Sequence, residues 1–307
     1  MFTAELWIHA GKTFLMVFGE LFGLFIGISF VVALLQIYVS QERIKKVLTT
    51  PRESLNSILG AALGAITPFC SCSTIPVLVG LFKSKAPFCG AISFLLTSPI
   101  LNPAIITLML AFFGLKATIV YAAFTFLFAV VMGLILDKAG FEKEIKNVSI
   151  TGGHQDGICW EQLQGTFWQK QKQAIALALK DSIGLLRSVL GFLLLGAGIG
   201  AFIYEFIPTE LIANFAGASN LWAVPLVAII GIPMYIRTET MIPIASILME
   251  KGVAPGVMIA LILGGAGASI PEVSLLTSIF KKKMIVAFVF CIFAVATMTG
   301  YVFNLVM

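Results

Sequence analysis

The stretch TPFCSCSTIPVLVG, residues 67–80, interrupts an apolar run with two prolines and a Cys-Ser-Cys. Proline removes a backbone donor and its ring clashes with the preceding helical turn. The residue before it is pushed out of the α region. Pro68 and Pro76 therefore predict non-helical backbone over residues 69–75, between two short helices. At membrane depth such backbone is tolerated only where it is buried in protein or lines a wet cavity. The stretch supplies polar groups for such a cavity in Thr67, Ser71, Ser73 and Thr74, with the thiols of Cys70 and Cys72. A proline kink packed by small residues is the plainer alternative, and the rest of the chain has to decide between the two.

Depth matters because the chain is oily throughout. Of its 307 residues 59% are hydrophobic and only 11% charged, with a mean hydropathy of +1.02. A soluble domain is nearer half apolar and a quarter charged. Apolar segments recur at about 13–39, 55–82, 86–113, 117–136, 183–207, 221–249, 253–280 and 284–306, and a run of about 20 is enough to cross a bilayer. The expectation is an all-α polytopic membrane protein of about eight hydrophobic segments. The opening MFTAELWIHA has no basic region and no small-residue cleavage site, so the first segment reads as a retained helix rather than a signal peptide. The net charge of +5 sits at helix ends, which speaks for membrane lipids and against nucleic acid as a partner.

One long polar stretch, residues 137–173, divides the chain into a first transmembrane repeat (1–136) and a second (174–307). Trp160, Leu163, Phe167 and Trp168 on its Lys/Gln-rich part suggest a helix lying at the membrane surface; an ordinary linker is the alternative. His154 and Cys159 are too isolated to make a metal site, so no metal and no cofactor is expected. The five cysteines (70, 72, 89, 159, 291) form no disulfide framework. A free cysteine packs as a small hydrophobe, which suits Cys291, whereas Cys89 is a candidate third sulfur beside Cys70 and Cys72.

The two halves echo each other. Pro87 and Pro103 are 16 apart, as are Pro255 and Pro271, so KAPFCGAISFLLTSPILNPA matches VAPGVMIALILGGAGASIPE with Pro103 on Pro271. Just before, ITPFCSCSTIPV faces GIPMYIRTETMIPI. Interrupted apolar segments at corresponding positions point to a transporter's binding site. Lysine and arginine positions test the orientation. If all eight segments span, they split 11 to 8. If the broken segment of each half is a re-entrant hairpin, residues 43, 45, 46, 52, 83, 85, 138, 143, 146, 170, 172, 180, 187 and 281–283 share one face, 16 against Lys12, Lys116 and Lys251. Making the next segment re-entrant gives 15 to 4. Either choice leaves three crossings per half, hence inverted repeats, with the basic face cytoplasmic and both termini opposite it.

The second break carries Arg237 and Glu239, flanked by Thr238 and Thr240. An ionisable group in the membrane costs several kcal/mol and is a functional-site hypothesis by default; a structural ion pair is the alternative. Arg237 suits an anionic group, and Glu239 suits proton coupling, with Glu272 and Glu20 as further candidate acids. Glu20 could equally be a cavity-facing partner of Arg187. LTSPILNPA adds Thr97, Ser98 and Asn102, and GGAGASIPEV adds Ser269. The expected substrate-binding set is Cys70, Ser71, Cys72, Ser73, Thr74, Asn102, Arg237 and Thr238.

The block TPFCSCSTIPVLVGLFKSKAPFCGAISFLLTSPILNPA resembles the predicted-permease family that contains the ArsP-type exporters of trivalent organoarsenicals. GIPMYIRTETMIPIASILMEKGVAPG looks like the matching half, and the resemblance covers nearly the whole chain. It implies a multi-pass permease of a prokaryotic inner membrane, moving a small solute. If arsenical handling carried over, Cys70 and Cys72 would be the thiols for a soft As(III) species. Some members carry a Cys/Ser/Thr-rich second break, where this chain has Arg237 and Glu239. That difference favours a charged substrate or proton coupling. With no Walker-type motif, the expectation is a secondary transporter, not an enzyme, coupled to protons or to the substrate's own gradient. A sulfur-containing compound or anionic thiol conjugate is the alternative cargo. A membrane thiol redox enzyme using Cys70 and Cys72 is the alternative of another class, although no C-x-x-C is present. A homo-oligomer is compatible with all of these readings.

Overall fold

In the computed structural model of the chain the described residues are 49–67, 71–83, 85–146, 160, 163, 165–206, 222–233, 238–250, 252–306 and single positions between 11 and 38. Among them the secondary structure is helical, apart from an isolated bridge between Ile145 and Phe280. The described positions from Gly11 to Tyr38 are helical. There follow α1 (Glu53–Ile66), α2 (Ser71–Lys83), α3 (Phe88–Thr97), α4 (Pro103–Lys138), a 3-10 turn (Phe141–Glu144), α5 (Phe167–Phe206), α6 (Ala223–Gly231), α7 (Thr238–Glu250), α8 (Pro255–Gly267), α9 (Ile270–Leu276) and α10 (Lys282–Val306). Among the described residues three stretches are long and apolar enough to cross a membrane: Pro103–Lys138, Pro255–Leu276 (α8 and α9 together) and Lys282–Val306.

Helix starts recur at a fixed interval. Residues 71, 88 and 103 open α2, α3 and α4, and residues 238, 255 and 270, each 167 further on, open α7, α8 and α9. The packing recurs at the same interval. A Cβ built on Gly133 would overlap Ser93 Oγ and lie 2.8 Å from the Cys89 carbonyl and 3.1 Å from Ser57 Oγ. One built on Gly300 would lie 2.6 Å from the Gly256 carbonyl, 2.6 Å from Val224 and 3.2 Å from Ala260. All four positions of the second set are 167 after those of the first. The register is therefore one residue shorter than the one that aligns Pro103 with Pro271. Proline is accepted at either of the first two positions of a helix, so its spacing leaves the register loose. Close helix approach does not.

Pro76 also departs from expectation. Residues 71–75 are helical, and Pro76 sits sixth in α2, as Pro243 sits sixth in α7. Near a helix start most amides lack an intrahelical acceptor anyway, and Pro76 removes only the bond to the Cys72 carbonyl. Thr67, after Ile66, is extended (ψ 127°), and residues 69 and 70 of the expected break lie outside the described residues. The later break of each half, in LTSPILNPA and GGAGASIPEV, appears as expected, between Thr97 and Pro103 and between Gly267 and Ile270.

Helix α3 is buried at every position and α8 at nearly every one, as an all-round apolar helix should be in a protein interior. Helix α1 packs on α3, and α8 lies between α6 and α10. Helix α4 is interrupted at Gly114 (φ 78°, ψ 176°). Its second part runs antiparallel to α10: Lys116 Nζ reaches the Val306 carbonyl at 2.9 Å, while Ile145, past the other end of α4, pairs with Phe280 just before α10. Both apolar clusters draw on both halves. One unites Leu78, Phe88 and Phe94 with Phe280 and Phe288, the other Ile100, Met109 and Tyr121 with Val257, Leu261 and Phe303. Helix α5 runs 40 residues from Phe167, so the part of the polar stretch read as a surface helix opens a longer one. Leu163 and Trp160 pack there with Ile37, Ala174 and Ala178, while Trp168 is 75% exposed.

Candidate functional site

The turn after α3 forms the later break of the first half. Thr74 of α2 and Ser98, both fully buried, share a hydrogen bond of 3.2 Å between their hydroxyls. Tyr121 donates its hydroxyl to the Ile100 carbonyl at 2.6 Å, and Thr97 donates to the Ser93 carbonyl at 2.7 Å. Asn102 accepts from the Ile105 amide at 2.8 Å, capping α4 in the manner expected of an asparagine at that position. A residue read as substrate-binding thus has a structural task, because its carbonyl oxygen is engaged inside the fold.

In the second half Thr238, Ser269 and Glu272 are all buried, the last only 1% exposed. Ser269 occupies the cap position of α9, 167 residues after Asn102. Glu272 lies in the first turn of α9, where a carboxylate is favoured by the helix dipole. Its counterpart in the packing register is Ile105, not a residue beside a matching proline. The register also sets Cys70–Ser71–Cys72–Ser73 against Arg237–Thr238–Glu239–Thr240, position by position. Cys70, Arg237 and Glu20 lie outside the described residues, as do the side chains of Ser71, Cys72, Ser73 and Glu239.

The halves interlock around these breaks. Helix α2 packs on α3 and on α9; helix α7 packs on α8 and on α4. Since α4 and α9 are counterparts in the 167-residue register, each half lays its broken-segment helix on the counterpart helix of the other. A Cβ on Gly267 would lie 3.4 Å from Ile100, and these two are themselves counterparts in that register. The structure thus joins Thr74 directly to Ser98, and brings the helix of Glu272 onto α2 and that of Thr238 onto α4. Cys89 is not part of this group. Its thiol lies 3.6 Å from the Glu53 carbonyl, at the opposite end of α3 from Ser98, about 13 Å away at 1.5 Å per residue. Cys291 is buried in an apolar cluster, as packing predicts.

Sequence reasoning passed over the hydroxyl pair of Ser57 and Ser93, 2.6 Å apart, which donate to the Val130 and Ala129 carbonyls and bind α1 and α3 to α4. It also passed over Tyr121. Both are polar groups in apolar helices, and that is the only signal they give.

A family described as "Predicted permease" matches residues 7–305. The chain is 24% identical over 299 residues to UPF0718 protein MJ0584 of Methanocaldococcus jannaschii, covering 81% of this chain and 82% of the relative. It is 26% identical over 259 residues to a putative two-component membrane permease complex subunit of Streptococcus mutans, covering 83% and 81%. It is 24% identical over 254 residues to UPF0718 protein YcgR of Bacillus subtilis, covering 82% of each. No solved structure matches the chain.

Proposed function

Because the chain belongs to the ArsP-type predicted-permease family, we propose that it is a secondary transporter that moves a small solute by alternating access between two inverted repeats. The observation that carries this reading is the reciprocal packing of α2 and α7 on the opposite halves, with Thr74, Ser98, Thr238 and Glu272 buried around it. At about 20 Å each, 13-residue helices are too short to span a core of about 30 Å. Two such short helices, each packed on a helix of the other half, are what a midplane site between inverted repeats requires. The antiparallel run of the second part of α4 against α10 supports the inversion. In this arrangement the end that carries Lys138, Lys143, Lys146 and Lys281–Lys283 faces the cytoplasm, and Lys116 and Val306 lie at the other. A reporter fused after Met307 is therefore expected to be active only outside the cytoplasm, and cytoplasmic activity would reject the topology.

The cargo follows from the two counterpart segments. Cys70 and Cys72 suit a thiophilic species such as a trivalent organoarsenical. Arg237, on the register of Cys70, favours the second reading, a sulfur-containing or anionic thiol-conjugate compound. Transport, not catalysis, is the activity proposed, in a prokaryotic inner membrane, with coupling to protons or to the cargo gradient. The relative named as a subunit of a two-component permease complex supports a second component here also. Proteoliposome flux tests the site. Cys70→Ser/Cys72→Ser is expected to lower flux of a thiophilic cargo at least tenfold, since each good ligand contributes on the order of 1.4 kcal/mol or more. Glu239→Gln is expected to remove the response to a pH gradient. Unchanged flux in both variants would sink the site assignment.

A further inference from the structure

Just past α4 the chain lies antiparallel to the corner between α9 and α10. The Lys146 amide donates to the Ile279 carbonyl at 2.8 Å and the Lys281 amide to the Glu144 carbonyl at 2.9 Å. The two ammonium groups repeat the exchange: Lys146 Nζ donates to the Thr277 carbonyl at 2.6 Å and Lys281 Nζ to the Lys143 carbonyl at 2.9 Å. Each lysine thus grips the other's segment twice. Between them Ile145 pairs with Phe280, whose buried ring packs edge-on against Phe82 of α2, centroids 5.8 Å apart. Phe141 and Ile145 join the same apolar cluster as Phe82, Leu275 and Leu276. The strap therefore acts on two elements at once, the end of α2 and the short helix that carries Glu272.

The counterpart corner, 167 residues earlier at 110–114, has no such strap among the described residues. Leu110 and Phe112 are about half exposed, and nothing lies within 4 Å of a Cβ built on Gly114.

We propose that residues 143–146 are a clasp that holds α9 against α2 and keeps the candidate site closed toward the basic end of the molecule. Resting on the transport reading above, this makes release of the clasp the step that opens the site to that side. A corner held by two amide bonds and two charge-assisted bonds opens less often than one that has lost them, because local opening scales with the contacts that must break.

Hydrogen exchange of the full chain in lipid nanodiscs tests this. In Lys146→Met/Lys281→Met, the amides of residues 277–281 and of α9 are expected to exchange roughly tenfold faster, the loss of two such bonds, while those of α3 and α8 keep their rates. Lys116→Met, at the far end, is expected to leave α9 unchanged. Unchanged α9 exchange in the double variant overturns the clasp, as does equal acceleration by Lys116→Met. Should the double variant fail to fold, Lys146→Met alone carries the same comparison. The measurement needs no cargo, so absent flux would overturn the transport reading only, and unchanged exchange the clasp only.

Discussion

Gly300→Ala is expected to remove most of the folded protein. The added methyl would stand 2.6 Å from the Gly256 carbonyl oxygen and 2.6 Å from Val224, distances that real Cβ contacts do not reach. Val224 can turn aside; the carbonyl cannot, because it belongs to a buried helix pressed on both sides. Overpacking a tight core costs about 1–3 kcal/mol and more where backbone must move. Gly133→Ala, at the matching position, meets Ser93 Oγ first and the Cys89 carbonyl second, at 2.8 Å. Ser93→Ala should therefore rescue it in part, and Val224→Ala should rescue Gly300→Ala less. Gly191→Ala is the control: it is exposed on α5 with nothing within 4 Å, and should be neutral or stabilising by up to about 1 kcal/mol. Melting temperatures in detergent decide the matter. A Gly300→Ala protein that melts with the parent would mean that α8 and α10 do not approach as closely as described.

These glycines also show how far the sequence could be read. The helical character of the apolar runs and the breaks between Thr97 and Pro103 and between Gly267 and Ile270 are legible, because apolar runs and prolines are local signals. The register was not, since Pro103 and Pro271 sit at different positions of their helices, first in α4 and second in α9. Only the close approaches around Gly133 and Gly300 fix it, and those depend on residues 40 or more apart in sequence. The same limit explains Pro76, whose position near a helix start weakens its power to break. Cys89 looked like a third sulfur because it follows the first break closely in sequence. A ten-residue helix carries it to the far end of the half. Asn102 was picked out for its polarity, and the geometry gives that polarity a cap to make.

Glu272→Gln should separate coupling from movement. The carboxylate is 1% exposed on a seven-residue helix that packs against α2, α5 and α10, and the counterpart position holds Ile105, buried and apolar. The fold therefore accepts an alkyl side chain at this register, so the acid is not there to fill space. The helix dipole offsets part of its burial, but an ionisable group at this depth still costs several kcal/mol. An acid kept at such a cost, where the two halves meet, is expected to take a proton on one side and release it on the other. Glutamine preserves shape and hydrogen bonding but not that exchange. In proteoliposomes the variant should lose pH-gradient-driven flux by on the order of a hundredfold, the lower end of what losing a proton-transfer group costs. Cargo exchange without a gradient should persist, because movement of α9 against α2 does not require the charge. Glu272→Asp should restore part of the driven flux. If Glu272→Gln melts early and loses exchange as well, the carboxylate is holding α9 in place. If driven flux survives, the proton travels elsewhere, and Glu239, two positions into α7, becomes the acid to replace next.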